Sequence, residues 1–199
     1  PKMVVMSSYI WNWEYNKQLA TEVKRVYPNC VIVTGGPQID KRNKEFFDKY
    51  PMFDVAVHGE GENAMKEILA RPIGEYDDIV HTQTRTHMPK MAMRRKSVAD
   101  IPSPILEGFY EPIMAKYPKD VMWQVTWESL RGCPYHCAFC DIGDSYWNKL
   151  TLFDMERCRQ EIEWMGKNKI EYVSVCDSNW GLLKRDVELT QIVLDTKEK

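Results

Sequence analysis

The chain has 199 residues, 44% of them hydrophobic, and a formal net charge of -2, which is enough apolar material for one large or two small domains with real cores. A charge so near zero provides no basic field to recommend nucleic acid as a partner, and Arg94-Arg95-Lys96 reads as a solvated loop. No apolar run approaches the roughly 18 residues of a membrane span, so a soluble, cytoplasmic protein is expected, in a compartment that keeps thiols reduced.

Residues 1–70 alternate strands and helices. Met3-Val4-Val5-Met6 is a short apolar run ending at Ser7-Ser8-Tyr9, and Leu19, Val23 and Val26 fall at helical spacing within 14–27, before Pro28-Asn29 stops the helix. Cys30-Val31-Ile32-Val33-Thr34 has the composition of a fully buried strand and is closed by Gly35-Gly36-Pro37. A helix over 40–50, a buried strand over 54–58, the turn Gly59-Glu60-Gly61 and a helix over 62–70 follow. This order predicts an α/β fold, a partial doubly wound parallel sheet occupying residues 1–75.

Ligands of such sheets sit outside the carboxyl ends of the strands. Three small-residue loops fall there, Ser7-Ser8-Tyr9, Gly35-Gly36-Pro37 and Gly59-Glu60-Gly61-Glu62. Glycine in these places permits close backbone approach and presents free amides. A single glycine after a parallel strand is also ordinary turn chemistry.

Residues 76–120 read as a linker. Pro72 and Gly74 break the preceding helix, 81–96 is polar with little periodicity and room for a small hairpin, Ile101-Pro102-Ser103-Pro104 imposes an extended path, and a short helix is expected near 112–117.

Val121-Met122-Trp123-Gln124-Val125-Thr126-Trp127-Glu128 then alternates like a strand and feeds Arg131-Gly132-Cys133-Pro134-Tyr135-His136-Cys137-Ala138-Phe139-Cys140. Gly132 and Pro134 make this a loop, where thiols have no core to fill. The CxxxCxxC spacing lets three thiolates wrap one corner of a 4Fe-4S cubane, leaving the fourth iron open as a Lewis-acidic position. Zinc held by the same cysteines with His136 is a rival, but His136 abuts Cys137, whereas zinc knuckles draw ligand pairs from separate turns. Cys30 and Cys176 adjoin apolar strands and are expected to be small buried hydrophobes, with Cys158 on a helix.

A helix over 152–167, a strand over 170–177 and a helix over 186–196 complete the chain. Strand, loop, helix, strand opens a parallel barrel, so residues 121–199 are expected to hold its first two strands. Asp177, Ser178 and Asn179 stand at the carboxyl end of the second strand, either facing a ligand or capping a turn. Asp141, Asp144, Tyr146 and Trp147, just past the third cysteine, read as turn and site-mouth residues.

On Cys133, Cys137 and Cys140 the chain resembles the radical S-adenosylmethionine (SAM) enzymes. On Ser7-x-Tyr9, Gly35-Gly36 and Val57-His58-Gly59-Glu60-Gly61-Glu62 it resembles the second half of a cobalamin-binding domain. The resemblance implies that the three cysteines ligate a 4Fe-4S cluster, that SAM chelates the open iron, and that Phe139, at the family's aromatic position, shields one cluster face. It implies that Asp177, Ser178 and Asn179 lie near the SAM amino group, and that Ser7, Tyr9, Gly35, Gly36, Gly59 and Glu60 lie beside cobalamin. A low-potential donor such as flavodoxin or ferredoxin would supply the electron that cleaves SAM to methionine and a 5′-deoxyadenosyl radical. Methylcobalamin would then methylate an unactivated carbon or phosphorus of a small-molecule or peptide substrate.

Two departures accompany the resemblance. The cobalt-ligating Asp-x-His-x-x-Gly motif is absent from the chain, and His58 reads as a strand-end residue. Relatives generally use a six-stranded partial barrel, so these residues are expected to be a fragment, or an abbreviated relative, of a longer enzyme. A non-methylating radical enzyme, with or without the corrin, and a non-enzymatic cluster or zinc protein acting as an interaction module remain as alternatives.

Overall fold

Alternation along the buried strands shapes the first half of the chain. In β2 (Val31–Gly35), Ile32 points to one side of the sheet and Val31 and Val33 to the other, and all three are buried. β2 pairs in parallel with β1 (Met3–Ser7) and with β3 (Val55–Val57), Val33 lying opposite both Val5 and Val55. On one face α1 (Trp13–Val26) and the single-turn α2 (Phe46–Lys49) bury Met6, Trp13, Ala20, Ile32, Phe46 and Phe53. On the other, α3 (Glu62–Ala70) buries Ala64 and Ile68 against Val31, Val33, Val55 and Val57. A sheet covered on both faces is what near-continuous apolar strands require.

The computed structural model describes residues 1–40, 43–89, 94, 96–117, 120–140, 142 and 148–197. Two compact units are present, Pro1–Arg94 and Arg95–Lys199. Both strengthen the α/β reading: each is built on parallel strand pairs joined through helices.

Several elements depart from expectation. Among the described residues of 40–50 the anticipated helix is the one turn of α2; Asn43 is used otherwise, its Oδ1 accepting from Glu45 N (3.0 Å) and its backbone carbonyl from Gln83 Nε2 (3.0 Å). Side-chain bonding to local backbone competes with helix in this way. Gln83 belongs to β4 (Thr82–Gln83), an antiparallel edge strand on β3 that the polar sequence hides. The stretch read as a linker is shared out: Tyr76 and Ile79 are buried in the first unit, and Val98 and Ile105 in the second. The short helix near 112–117 is α4 (Glu111–Met114).

In the second unit β5 (Gln124–Trp127) runs parallel to β8 (Tyr172–Val175), Val125 opposite Val173 and Trp127 opposite Val175. A two-residue antiparallel bridge, β6 (Leu130–Arg131) with β7 (Thr151–Leu152), interrupts the connection between them. Asp154 N-caps α5 (Met155–Lys167), accepting from Glu156 N (2.9 Å) and Arg157 N (3.2 Å). Val125, Trp127, Phe153, Cys158, Ile162, Met165 and, from α6 (Lys184–Lys197), Leu189 and Ile192 form the core. All four residues of β8 are exposed. Among the described residues no helix is long and apolar enough to cross a membrane.

A buried carboxylate organises that core. Glu161, 3% exposed, accepts from Trp127 Nε1 (2.7 Å) and from Arg157 Nε (2.9 Å), and the Arg157 guanidinium lies 4.4 Å from the Phe153 ring centre. Replacing Glu161 by Leu strands an indole N–H and a half-buried cation. It is expected to cost about 3–5 kcal/mol, whereas Glu161→Gln, which keeps an acceptor for Trp127, costs less; denaturant midpoints of the two variants provide the comparison.

Candidate functional site

At the carboxyl edge of the first sheet the exits of β1 and β2 are stitched together. Ser8 N donates to Gly35 O (2.7 Å), and Gln38 N to Ser8 O (3.2 Å). The Ser8 hydroxyl, fully buried, pairs with Thr34 Oγ1 (2.8 Å) and accepts from Asn16 Nδ2 (3.1 Å). Gly36 sits at φ +108°, and a Cβ there would stand 2.6 Å from Ser8 O. Gly36 is therefore a steric requirement where the exits of β1 and β2 meet.

Ser7, the predicted site residue, is exposed, and its carbonyl accepts from Asn12 Nδ2 (2.9 Å) and Asn16 Nδ2 (3.0 Å). Sequence reading places Ser8 in the strand-exit loop and Thr34 at the end of a buried strand but misses Asn12 and Asn16, whose only signal is a polar residue where the start of a helix packs on the sheet. Tyr9 is half-buried and its ring stacks on Trp11 (4.5 Å, 11°), while Ile10 and Trp11 are 82% and 76% exposed. Gly59 has φ +73°, two residues after Val57, which pairs with Gly35. Ser7, Tyr9, Gly35, Gly36, Gly59 and Glu60 thus lie at one edge of three adjacent parallel strands. His58 is buried behind that edge, its Nε2 at 2.9 Å from Gln83 Oε1. Burial lowers the His81 pKa, partly opposed by Glu60.

In the second unit the cysteine loop leaves β6 through Gly132, at φ +104°. Cys133 is half-buried, Cys137 and Cys140 are exposed, and all three are free thiols; Cys140 N donates to Cys137 O (3.0 Å). Asn179 Nδ2 donates to Cys133 Sγ at 3.1 Å. Asp177 accepts from Ser129 N (2.7 Å), Ser129 Oγ (2.5 Å) and Leu130 N (3.1 Å), so its carboxylate ties the end of β8 to the start of the loop. Ser178 between them is exposed, as is Phe139 at 93%. Asp141, Asp144, Tyr146 and Trp147 lie outside the described residues.

Accessible free thiols on an irregular loop suit a cubane, in which each thiolate takes a different iron. Among the described residues no three His, Cys, Asp or Glu side chains converge on a point where one metal ion would sit. Cys176 corrects an expectation: it is exposed, because nothing among the described residues covers the outer side of β8. Cys158 is fully buried, and burial pushes its thiol up to about 11 despite nearby Arg185.

Residues 1–69 match the B12 binding domain family. Over 99% of its length the chain is 35% identical to a 2-(S-pantetheinyl)-carbapenam-3-carboxylate methyltransferase of Streptantibioticus cattleyicolor. It is likewise 35% identical, over 99% of its length, to the cobalamin-dependent radical SAM methyltransferase TokK of Streptomyces tokunonensis. Along nearly its whole length this chain is thus similar to a cobalamin-dependent radical SAM methyltransferase. It spans 30% of the length of each of those two methyltransferases. Its fold is also that of the radical SAM methyltransferase TsrM from Kitasatospora setae, solved with cobalamin and a [4Fe-4S] cluster bound, at a TM-score of 0.64 and 16% identity, covering 100% of this chain and 42% of TsrM.

Two outcomes follow from this geometry. Gly36→Ala combines positive-φ strain with a backbone clash and is expected to destabilise by about 2–4 kcal/mol; Gly74→Ala, at φ +98° with nothing within 4 Å of the added methyl, costs about 1 kcal/mol, and thermal unfolding of both separates the clash from the strain. Iodoacetamide at neutral pH, applied to metal-free protein, is expected to modify Cys137, Cys140 and Cys176 and to spare Cys30 and Cys158, as read by peptide mass mapping.

Proposed function

We propose that this chain carries the cofactor-binding part of a cobalamin-dependent radical SAM methyltransferase, with Cys133, Cys137 and Cys140 as ligands of a 4Fe-4S cluster. The observation that carries the reading is the CxxxCxxC loop at the exit of a parallel strand pair, in a chain whose first 69 residues match a B12 binding domain. When bound, the cluster and SAM supply reductive carbon–sulfur cleavage and hydrogen abstraction, and cobalamin supplies a transferable methyl group.

The chain's own residues bind, orient and screen. The exposed thiols of Cys137 and Cys140 and the half-buried thiol of Cys133 would hold the cluster through three irons, leaving one iron for SAM to chelate. Asp177 is engaged with Ser129 and Leu130, and Asn179 with Cys133. Ser178, exposed on the same turn, is the residue that meets the SAM amino group. Phe139, whose ring is exposed, would cover a cluster face when the cluster is bound. In the first unit, Ser7, Tyr9, Gly35, Gly36, Gly59 and Glu60 line the cobalamin tail. Gly36 permits the close approach of the β1 and β2 exits. The substrate is a small molecule or peptide methylated at an unactivated carbon or phosphorus, with the electron delivered by flavodoxin or ferredoxin.

Anaerobic reconstitution tests the reading. The protein is expected to retain about four irons and four sulfides, to lose them when Cys133, Cys137 and Cys140 are all changed to Ala, and to retain hydroxocobalamin with a shifted visible spectrum in both forms. Stoichiometric zinc without acid-labile sulfide would remove the radical reading, and passage of cobalamin through gel filtration unretained would remove the corrin.

A further inference from the structure

The three cysteines of the loop are not equivalent. Cys137 and Cys140 face solvent, whereas Cys133 is half-buried and receives the side-chain amide of Asn179, Nδ2 to Sγ 3.1 Å. A thiolate has only lone pairs to offer, so the amide must turn its N–H, and not its carbonyl, toward the sulfur. Asn179 is held for this contact from two sides. The Asn179 backbone carbonyl accepts from Leu182 N (3.3 Å), and two residues earlier the Asp177 side chain anchors the same turn to Ser129 and Leu130. The donor and its sulfur therefore come from opposite ends of one clasp, 46 residues apart in the chain.

We infer that Asn179 is a positioning and tuning residue for the cluster, which donates an N–H···S hydrogen bond to the Cys133 thiolate and raises the reduction potential of the bound cluster. This rests on the proposed ligation by Cys133. An N–H···S bond draws electron density from the ligating sulfur and so favours the reduced, more negative cluster. The turn after β8 thereby acts on the cluster through a ligand, while Ser178 on the same turn faces solvent. The role differs from that of a residue touching SAM, because it persists when SAM is absent.

The test is an EPR-monitored redox titration of the reconstituted protein without SAM, for wild type, Asn179→Leu and Asn179→Asp. The leucine removes the donor at similar size, and the aspartate replaces it with a negative acceptor. Both variants are expected to shift to a more negative potential, with the reduction equilibrium constant falling about tenfold, roughly 59 mV for one electron, at unchanged iron and sulfide content. If Asn179→Leu fails to hold its cluster, Asn179→Asp decides by the same criterion. Potentials equal to wild type with the cluster intact would overturn the inference and leave the ligation reading standing. Failure of the wild-type protein to take up sulfide with its iron would overturn the ligation reading and the inference together.

Discussion

Asp177 accepts hydrogen bonds from Ser129 N, Ser129 Oγ and Leu130 N, and through them the end of β8 is fixed to the turn that launches the cysteine loop. Each bond to a charged acceptor contributes roughly 1.5–3 kcal/mol before solvent screening is allowed for. More than its energy, its geometry matters. The loop from Gly132 to Cys140 has almost no regular structure of its own, so its starting direction is set where Leu130 and Arg131 are pinned between Asp177 and the β7 bridge. With that start fixed, Asn179 reaches Cys133, and two turns distant in sequence share one sulfur. A cofactor site on so short a loop needs such support from a rigid strand pair, and β5 with β8 supplies it.

The first unit solves the same problem with backbone. Its three parallel strands end in loops that would diverge if each were capped independently. Ser8 N to Gly35 O and the buried Ser8, Thr34 and Asn16 network hold two of them in contact, and only a residue without Cβ fits at position 36. Both units therefore place candidate cofactor residues at the carboxyl ends of parallel strands, where neighbouring strand exits brace one another.

Much of this was legible in the residues, and the failures have physical causes. The parallel strands were visible because strands buried on both faces are nearly continuous in Val and Ile, as in β2 and β3. β4 was not, since Thr82 and Gln83 pair with β3 and carry no apolar pattern. The stretch from 76 to 120 looked like a linker because its apolar residues are widely spaced; Tyr76, Ile79, Val98 and Ile105 each fill a gap in a core built by other elements. Cys176 looked buried from its apolar neighbours, yet β8 is exposed along its length. The three loop cysteines stood out because spacing alone carries their chemistry. Asp177 and Asn179 were singled out for their place at a strand end, but their partners, Ser129 and Cys133, are more than forty residues away and no local pattern announces them.

In the proposed function, three thiolates leave one iron of a cubane open to a chelating ligand. Mössbauer spectroscopy of the iron-57-enriched, reconstituted protein, with and without SAM, addresses it most directly. One iron in about four is expected to change its isomer shift on SAM addition while the other three stay as they were. A spectrum in which no iron responds to SAM would rule out an open iron in the cluster.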